Sequence, residues 1–391
     1  MIYLDNASGS HPKPESIYQE SDRALRSLAG FPGMDSHAPA RAGATLLAAA
    51  RREAAELFGL GRPERVVFTA GGTDALTMAL KGLLRDGDHV VTTNLARAAI
   101  SRSLDHMQMA GRIALTRVDA GDDGRIDPAT LVRAVANRTR LVILSHGCEV
   151  LGTVQPVEEV ARMLSGHKAL LLVDASHTAG LVPLHMDSWG VDLVATSGHR
   201  GLYGPPGVGL LLVGGDVRLR PLREGESGGD PSLSTQPLDL PWSLEAGVPN
   251  MPGIVGLLAG MRFVNQQTLA RLREHDTTLI KRFIGAVGLD ERFRLYAARG
   301  DMPRTGTVSF TLRGFTPQQV AQVLEQVHDI QVAAGLHAGS RVHVMLKTAP
   351  GGTVRVSVGW FNTEDEIDRT VAALREMADA GVKQALSRAG A

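Results

Sequence analysis

Apolar positions recur along this 391-residue chain at two spacings, and their alternation lays out its architecture. Residues 44–59, ATLLAAARREAAELFG, carry apolar side chains at helical intervals and stop at a glycine. RVVFT at 65–69 is instead a short unbroken apolar run of the kind a buried strand makes. The two textures then take turns. DALTMALKGLL, AAISRSLDHMQMAG and VEEVARMLSG read as helices, and HVVTT, LVILSH, ALLLVDA and VDLVATSGH as strands. Apolar strands separated by helices predict an α/β fold with a mostly parallel sheet covered on both faces. Ligands of such sheets collect beyond the carboxyl ends of the strands, so the polar residues following each strand are the ones to read for chemistry.

At 214–241 the texture changes to a stretch rich in glycine, proline and serine, which predicts a long loop bordering the site. A helix over MPGIVGLLAGMRFV follows. GTVSFTL, FTPQQVAQVLEQV, TVRVSVG and TEDEIDRTVAALREMADAGV then predict a smaller α+β unit. The expected division is an N-terminal segment 1–14, a large α/β domain 15–255 and a small C-terminal α+β domain 256–391.

Composition narrows the function classes. Lysine plus arginine equal aspartate plus glutamate at 41 each, so no global field draws nucleic acid or an anionic membrane. A single cysteine, Cys148, excludes a disulfide framework or a cysteine metal cluster and suits a reducing cytoplasm, the compartment expected here. The first residues, MIYLDNASGSHPKP, lack a basic flank followed by an apolar stretch, and no window reaches the roughly 18 apolar residues of a membrane span. The histidines are scattered and show no paired ligand motif, so no metal site is expected.

The segments YLDNAS, VVFTAGGTDAL, VVTTNLARAAI, LSHGCEVLGTVQP, LLVDASHTAG, TSGHRGLYGPPGVG, EAGVPNMPGI, GLHAG and TVRVSVGWFNTEDEID run in order over nearly the whole chain. Together they resemble the class V aminotransferase and cysteine desulfurase family, whose members are fold type I pyridoxal phosphate enzymes and typically homodimers with the active site at the subunit interface. The resemblance implies several cofactor contacts. Gly72 and Thr73 fall at a strand-to-helix turn where amides and the helix dipole hold a phosphate, with Ser197 and His199 assisting. Asp174 matches the aspartate that pairs with the pyridine nitrogen, and Arg355 the arginine that binds a substrate carboxylate. Without the resemblance, Gly72, Thr73 and Asp174 would read as ordinary helix-cap residues.

Departures from the family pattern gather in the same place. Arg200 stands where the family's lysine carries the cofactor as a Schiff base, and a guanidinium that stays protonated cannot readily take that role. Arg97 takes the place of a histidine that stacks on the ring, Glu149 of an asparagine at the ring hydroxyl, and His177 of a glutamine. Val248 replaces a threonine that reaches the neighbouring subunit's phosphate, and Ala338 the desulfurase cysteine.

Arg97, Arg200 and Arg355, joined by His146, His177 and His199, would concentrate positive charge around Glu149 and Asp174, which predicts an anionic ligand. Equally, Arg200 could pair with Asp174 or Glu149 and plug the site. His146, Arg200 and Cys148 are the candidate catalytic groups, although a lone cysteine near a strand end is usually a small buried hydrophobe.

Three functions follow from these residues. The first is a diverged relative that binds an anionic small molecule or a noncovalent cofactor, or serves as partner subunit to a related catalytic chain. The second is a working pyridoxal phosphate lyase or aminotransferase acting on an amino acid. The third is a noncatalytic dimeric scaffold.

Overall fold

The computed structural model describes all residues except 29–36, 122, 228–231, 298–299, 301 and 391. Its strands alternate apolar side chains to two faces, which fixes a sheet buried on both sides. Val66, Phe68, Val142, Leu144, Leu171 and Val173 enter one core; Val67, Leu141, Ile143, Leu172, Leu193 and Leu211 enter the other. The resulting seven-stranded sheet has the spatial order Val66–Thr69, Gly209–Val213, Leu193–Ser197, Leu170–Asp174, Thr139–Ser145, His89–Thr93, Ala114–Val118. Gly209–Val213 runs antiparallel to both neighbours and the other pairings keep the remaining strands parallel. Consequently the segments following residues 69, 93, 145, 174 and 197 all emerge at one edge of the sheet.

A second, four-stranded antiparallel sheet has the order Ala333–Gly335, Thr353–Ser357, Thr307–Leu312, Phe293–Tyr296. It packs with the helices Leu269–Val287, Pro317–His328 and Glu364–Arg388 around Phe283, Phe310 and Leu324. The last two helices open with reciprocal caps, Thr316 with Gln319 and Thr363 with Glu366, each satisfying amides that a helix start leaves open. The chain's first strand, Ile2–Tyr3, pairs in parallel with Ile330–Gln331 and so stitches the N-terminal segment to this smaller sheet. Helix Met251–Gln267 packs on Glu15–Ser27 and Ala38–Leu57 before the chain turns at Thr268 into Leu269–Val287. The α/β fold with a mostly parallel sheet and a smaller α+β unit is therefore as the pattern predicted. The described residues of 214–241 form neither helix nor strand.

One buried ion pair holds the edge of the large sheet. Arg51 on helix Ala38–Leu57 forms a fork with Glu245, at 2.6 and 2.8 Å, and lies over the Phe68 ring. Glu245 also accepts from the Phe68 amide at 2.6 Å. Because both side chains are largely out of water, removing one partner strands the other's charge. Glu245→Ala is expected to lower stability by about 3 kcal/mol, read as an earlier urea transition, with Arg51→Met in the same chain recovering part of the loss. An unchanged transition in the single variant would show that the pair contributes nothing net.

Candidate functional site

Each residue at the carboxyl edge is placed by the strand it follows. Val66–Thr69 leads into helix Gly72–Leu83, whose first residue has no room for a side chain: a Cβ on Gly72 would lie 2.6 Å from Ser197 Oγ and 2.9 Å from Ser176 Oγ. The helix start is thus packed closely against the two serine hydroxyls, and Ser176 Oγ is buried there with no hydrogen-bond partner. Thr73 is exposed on the first turn. Asp174 ends its strand, accepts from the Ser176 amide at 3.1 Å, and keeps Oδ2 buried and unbonded. Arg97, just after His89–Thr93, approaches that oxygen with Nε at 3.8 Å, near enough for charge attraction but not for a hydrogen bond.

Arg200 extends from the loop after Leu193–Ser197 and meets His177. The His177 ring stands between guanidinium and carboxylate: Nε2 is 2.8 Å from Glu149 Oε2 and is also the ring nitrogen nearest Arg200 Nη1, which lies 3.2 Å from Nδ1. A neutral imidazole is what the electrostatics favour: burial, followed by the fields of Arg200, Arg97 and Arg355, holds His177 well below the usual histidine range, with Asp174 opposing. Burial and then Arg97 bring Arg200 down to about 10, against Glu149 and Asp174, which leaves it charged at neutral pH. Arg200 forms no direct ion pair among the described residues; its counter-charge, Glu149, is reached through an uncharged ring.

Arg355 arrives from the small sheet, on Thr353–Ser357, and is 2% exposed. Its Nη2 donates to Asp5 Oδ1 at 2.7 Å and Ser8 Oγ at 2.8 Å, and Nη1 to the Glu149 carbonyl at 3.4 Å. The expected carboxylate-binding arginine therefore already holds a carboxylate of its own chain. Asp5 and Ser8 lie in the YLDNAS segment, which marked the family without revealing this contact.

The remaining candidates divide. Ser197 lies beneath Gly72. His199, held at about 4 by burial and then by Arg200 and Lys13, turns its ring toward Gly9 and hydrogen-bonds the Ser8 backbone. His146 is buried, held at about 4 mainly by burial, and bonds Thr178 Oγ1 through Nδ1 at 2.9 Å. Cys148 is a correction: it sits in the apolar core and burial pushes its thiol up to about 11, so it is a packing residue rather than a catalytic nucleophile. The expected positive field also needs correcting, since the histidines are neutral and Asp5 joins Glu149 and Asp174 against Arg97, Arg200 and Arg355.

The segment 336–347 closes one side. Ala338 O accepts from the Ala98 amide at 2.8 Å, directly beside Arg97, and Arg341 pairs with Asp105 at 3.0 Å. His337, which burial and Arg355 hold at about 3, lies with His343 at a ring separation of 5.8 Å. Val248 lies apart from this cluster, 74% exposed beside a cavity lined by Phe68, Trp242, Glu245 and Asn250. No metal-holding group of histidine, cysteine and acidic residues occurs among the described residues, nor a helix long and apolar enough to cross a membrane.

Comparison with known proteins agrees with the architecture. The chain is 31% identical to a probable cysteine desulfurase of Methanothermobacter thermautotrophicus, covering 97% of this chain and 95% of the relative. It is 28% identical to a cysteine desulfurase of Dickeya dadantii, over 96% and 92% of the two chains. The solved apo cysteine desulfurase of Thermococcus onnurineus NA1 superposes with a TM-score of 0.90 at 26% identity, over 97% of this chain and 95% of that one. The family model for aminotransferase class-V matches residues 2–370, and with a parallel sheet that gathers its polar residues at one edge, the chain belongs to the class-V aminotransferase family, a fold type I family that uses pyridoxal phosphate.

Proposed function

We propose that this chain is a diverged, cysteine desulfurase-like member of its family that holds a small anion, or a noncovalently bound cofactor, and forms no Schiff base at residue 200. The observation that carries the reading is an imbalance of buried, unbonded groups. Arg97 Nε and Nη1, Arg200 Nε and Arg355 Nε are four donors without acceptors, against two unbonded carboxylate oxygens, Glu149 Oε1 and Asp174 Oδ2. Each donor left unmade costs about 1–3 kcal/mol, and an anion with several lone pairs would satisfy more than one.

Pyridoxal phosphate fits these residues only in part. The helix start at Gly72 and the unbonded Ser176 hydroxyl beside it suit its phosphate, and Asp174 suits a protonated ring nitrogen. The covalent anchor does not fit, because position 200 offers a guanidinium, and Arg97 already stands against Asp174. Without the family's thiol at position 338 there is also no acceptor for sulfur. The homodimer implied by the family belongs to this proposal, with the exposed Val248 near its seam.

Three outcomes test the reading. The purified protein is expected to show no chromophore that survives dialysis, and its 193–209 peptide to remain unmodified after pyridoxal phosphate and borohydride; a dialysis-resistant chromophore made covalent by reduction would mean a working cofactor enzyme. Inorganic phosphate at ten times its Kd should raise unfolding free energy by about 1.4 kcal/mol, and Arg97→Ala should abolish the rise. Indifference of the wild-type chain to phosphate and to small carboxylates would favour a ligand-free scaffold. The third outcome concerns pH. His177, His146 and His199 have folded values below their unfolded value of about 6.5, so the unfolded chain binds more protons as pH falls below it. Stability should therefore drop on acidification from about 6.5 toward 4, by up to about 1.4 kcal/mol per histidine per unit, partly offset by Asp276, which burial raises to about 6. Flat stability across that window, followed by urea unfolding, would contradict neutral buried histidines.

A further inference from the structure

The unbonded groups at the carboxyl edge differ in kind as well as in number. Arg97 follows His89–Thr93, Glu149 follows Thr139–Ser145 and Asp174 ends Leu170–Asp174, three strands that lie side by side in the large sheet. Arg200 feels the fields of Arg97, Glu149, Asp174 and Arg355, so these side chains surround one place. Beside the guanidinium nitrogens without acceptors stand two buried carboxylate oxygens without donors, Glu149 Oε1 and Asp174 Oδ2. Arg97 Nε stays 3.8 Å from the second, too far to donate to it. Ser145 Oγ and Ser176 Oγ are buried and unbonded as well, but a hydroxyl gives or accepts as required and so selects nothing.

A ligand of this site must answer both needs. Sulfate only accepts: it would satisfy the guanidinium donors and set its lone pairs against Glu149 Oε1 and Asp174 Oδ2. An oxyanion that keeps a proton accepts from the arginines and donates to a carboxylate through a short, charge-assisted O–H···O bond. One such bond made or missed at a charged group is worth roughly ten- to a hundredfold in affinity. Inorganic phosphate keeps at least one proton at neutral pH, whereas a phosphate monoester has largely lost its last one above pH about 6.

We propose that the site selects a small protonated oxyanion, free hydrogen phosphate, and rejects sulfate, with Glu149 and Asp174 as the residues that read the proton. The assignment rests on an anion being held here, as proposed above, and adds what that anion must carry. The division of labour follows from the donor and acceptor sets. Arg97, Arg200 and Arg355 supply affinity for any oxyanion, and the two carboxylates set the difference between one oxyanion and another. Replacing a carboxylate by its amide puts a donor where an acceptor stood, which removes the reason to exclude sulfate while keeping the shape of the side chain.

The experiment is calorimetric titration of the full chain at neutral pH and constant ionic strength with inorganic phosphate, methyl phosphate and sulfate. The wild-type chain is expected to bind phosphate at least about tenfold more tightly than sulfate, and several-fold more tightly than methyl phosphate. Glu149→Gln and Asp174→Asn should each lower the phosphate-to-sulfate ratio by at least about threefold, chiefly by admitting sulfate. Sulfate or methyl phosphate bound as tightly as phosphate overturns the selectivity and leaves anion binding in place. A ratio that neither variant moves overturns the roles given to Glu149 and Asp174. Binding of none of the three ions defeats the anion reading itself, and this inference with it. The wild-type ratio decides alone if neither variant folds.

Discussion

A guanidinium taken out of water at the carboxyl edge of a parallel sheet must be matched by something, and here the match is indirect. Arg200 has no carboxylate within ion-pair reach among the described residues; it contacts the His177 ring, which in turn contacts Glu149. Burying an unpaired charge costs several kcal/mol, so the neutral ring acts as the coupler that lets Glu149 offset Arg200 at a distance. Protonating His177 would remove the acceptor and place two cations side by side. The same chain of contacts reaches further, because the Glu149 carbonyl accepts from Arg355, and Arg355 is held by Asp5 and Ser8. Three separate pieces of the fold, the large sheet, the small sheet and the N-terminal segment, are thereby joined through one buried polar network.

The sheet and its order of helices were legible because burial on both faces leaves an apolar run that no loop would carry, as in LLLVD at Leu170–Asp174. The edge to which Gly72, Arg97, Glu149, Asp174 and Arg200 are brought follows from that topology. Partnering was not legible. Nothing in the spacing of Asp5 and Arg355, 350 positions apart, announces their ion pair, which depends on the parallel pairing of Ile2–Tyr3 with Ile330–Gln331. Nor does sequence disclose protonation. Counting His146, His177 and His199 as positive treats them as if solvated, while burial leaves all three uncharged. Cys148 was misleading for the same reason: proximity to His146 along the chain says nothing about a thiol held in an apolar core.

Formal charge and hydrogen-bonding capacity then point in different directions. Counting Asp5, Glu149 and Asp174 against Arg97, Arg200 and Arg355 gives a balanced cluster with no net field to attract an anion from a distance. Capacity is not balanced, because a guanidinium offers five donors and its partners here use only some of them. An anion would therefore gain little from long-range steering and much from contact, which makes affinity less sensitive to salt than a net-positive pocket would be.

Asp5 sharpens this distinction. A ligand carboxylate seeking Arg355 in the manner of the family would have to displace a side chain already bonded at 2.7 Å and supported by a 2.9 Å hydrogen bond from Ser8. The exchange would trade one charge-assisted bond for another and leave Asp5 unpaired, so its net gain would be small. Arg97 and Arg200 face no such competitor: each has an unbonded Nε, and neither makes a direct hydrogen bond to a carboxylate. An anion held as proposed would therefore be recognised less by the arginine on the small sheet than by the two that follow strands of the large one.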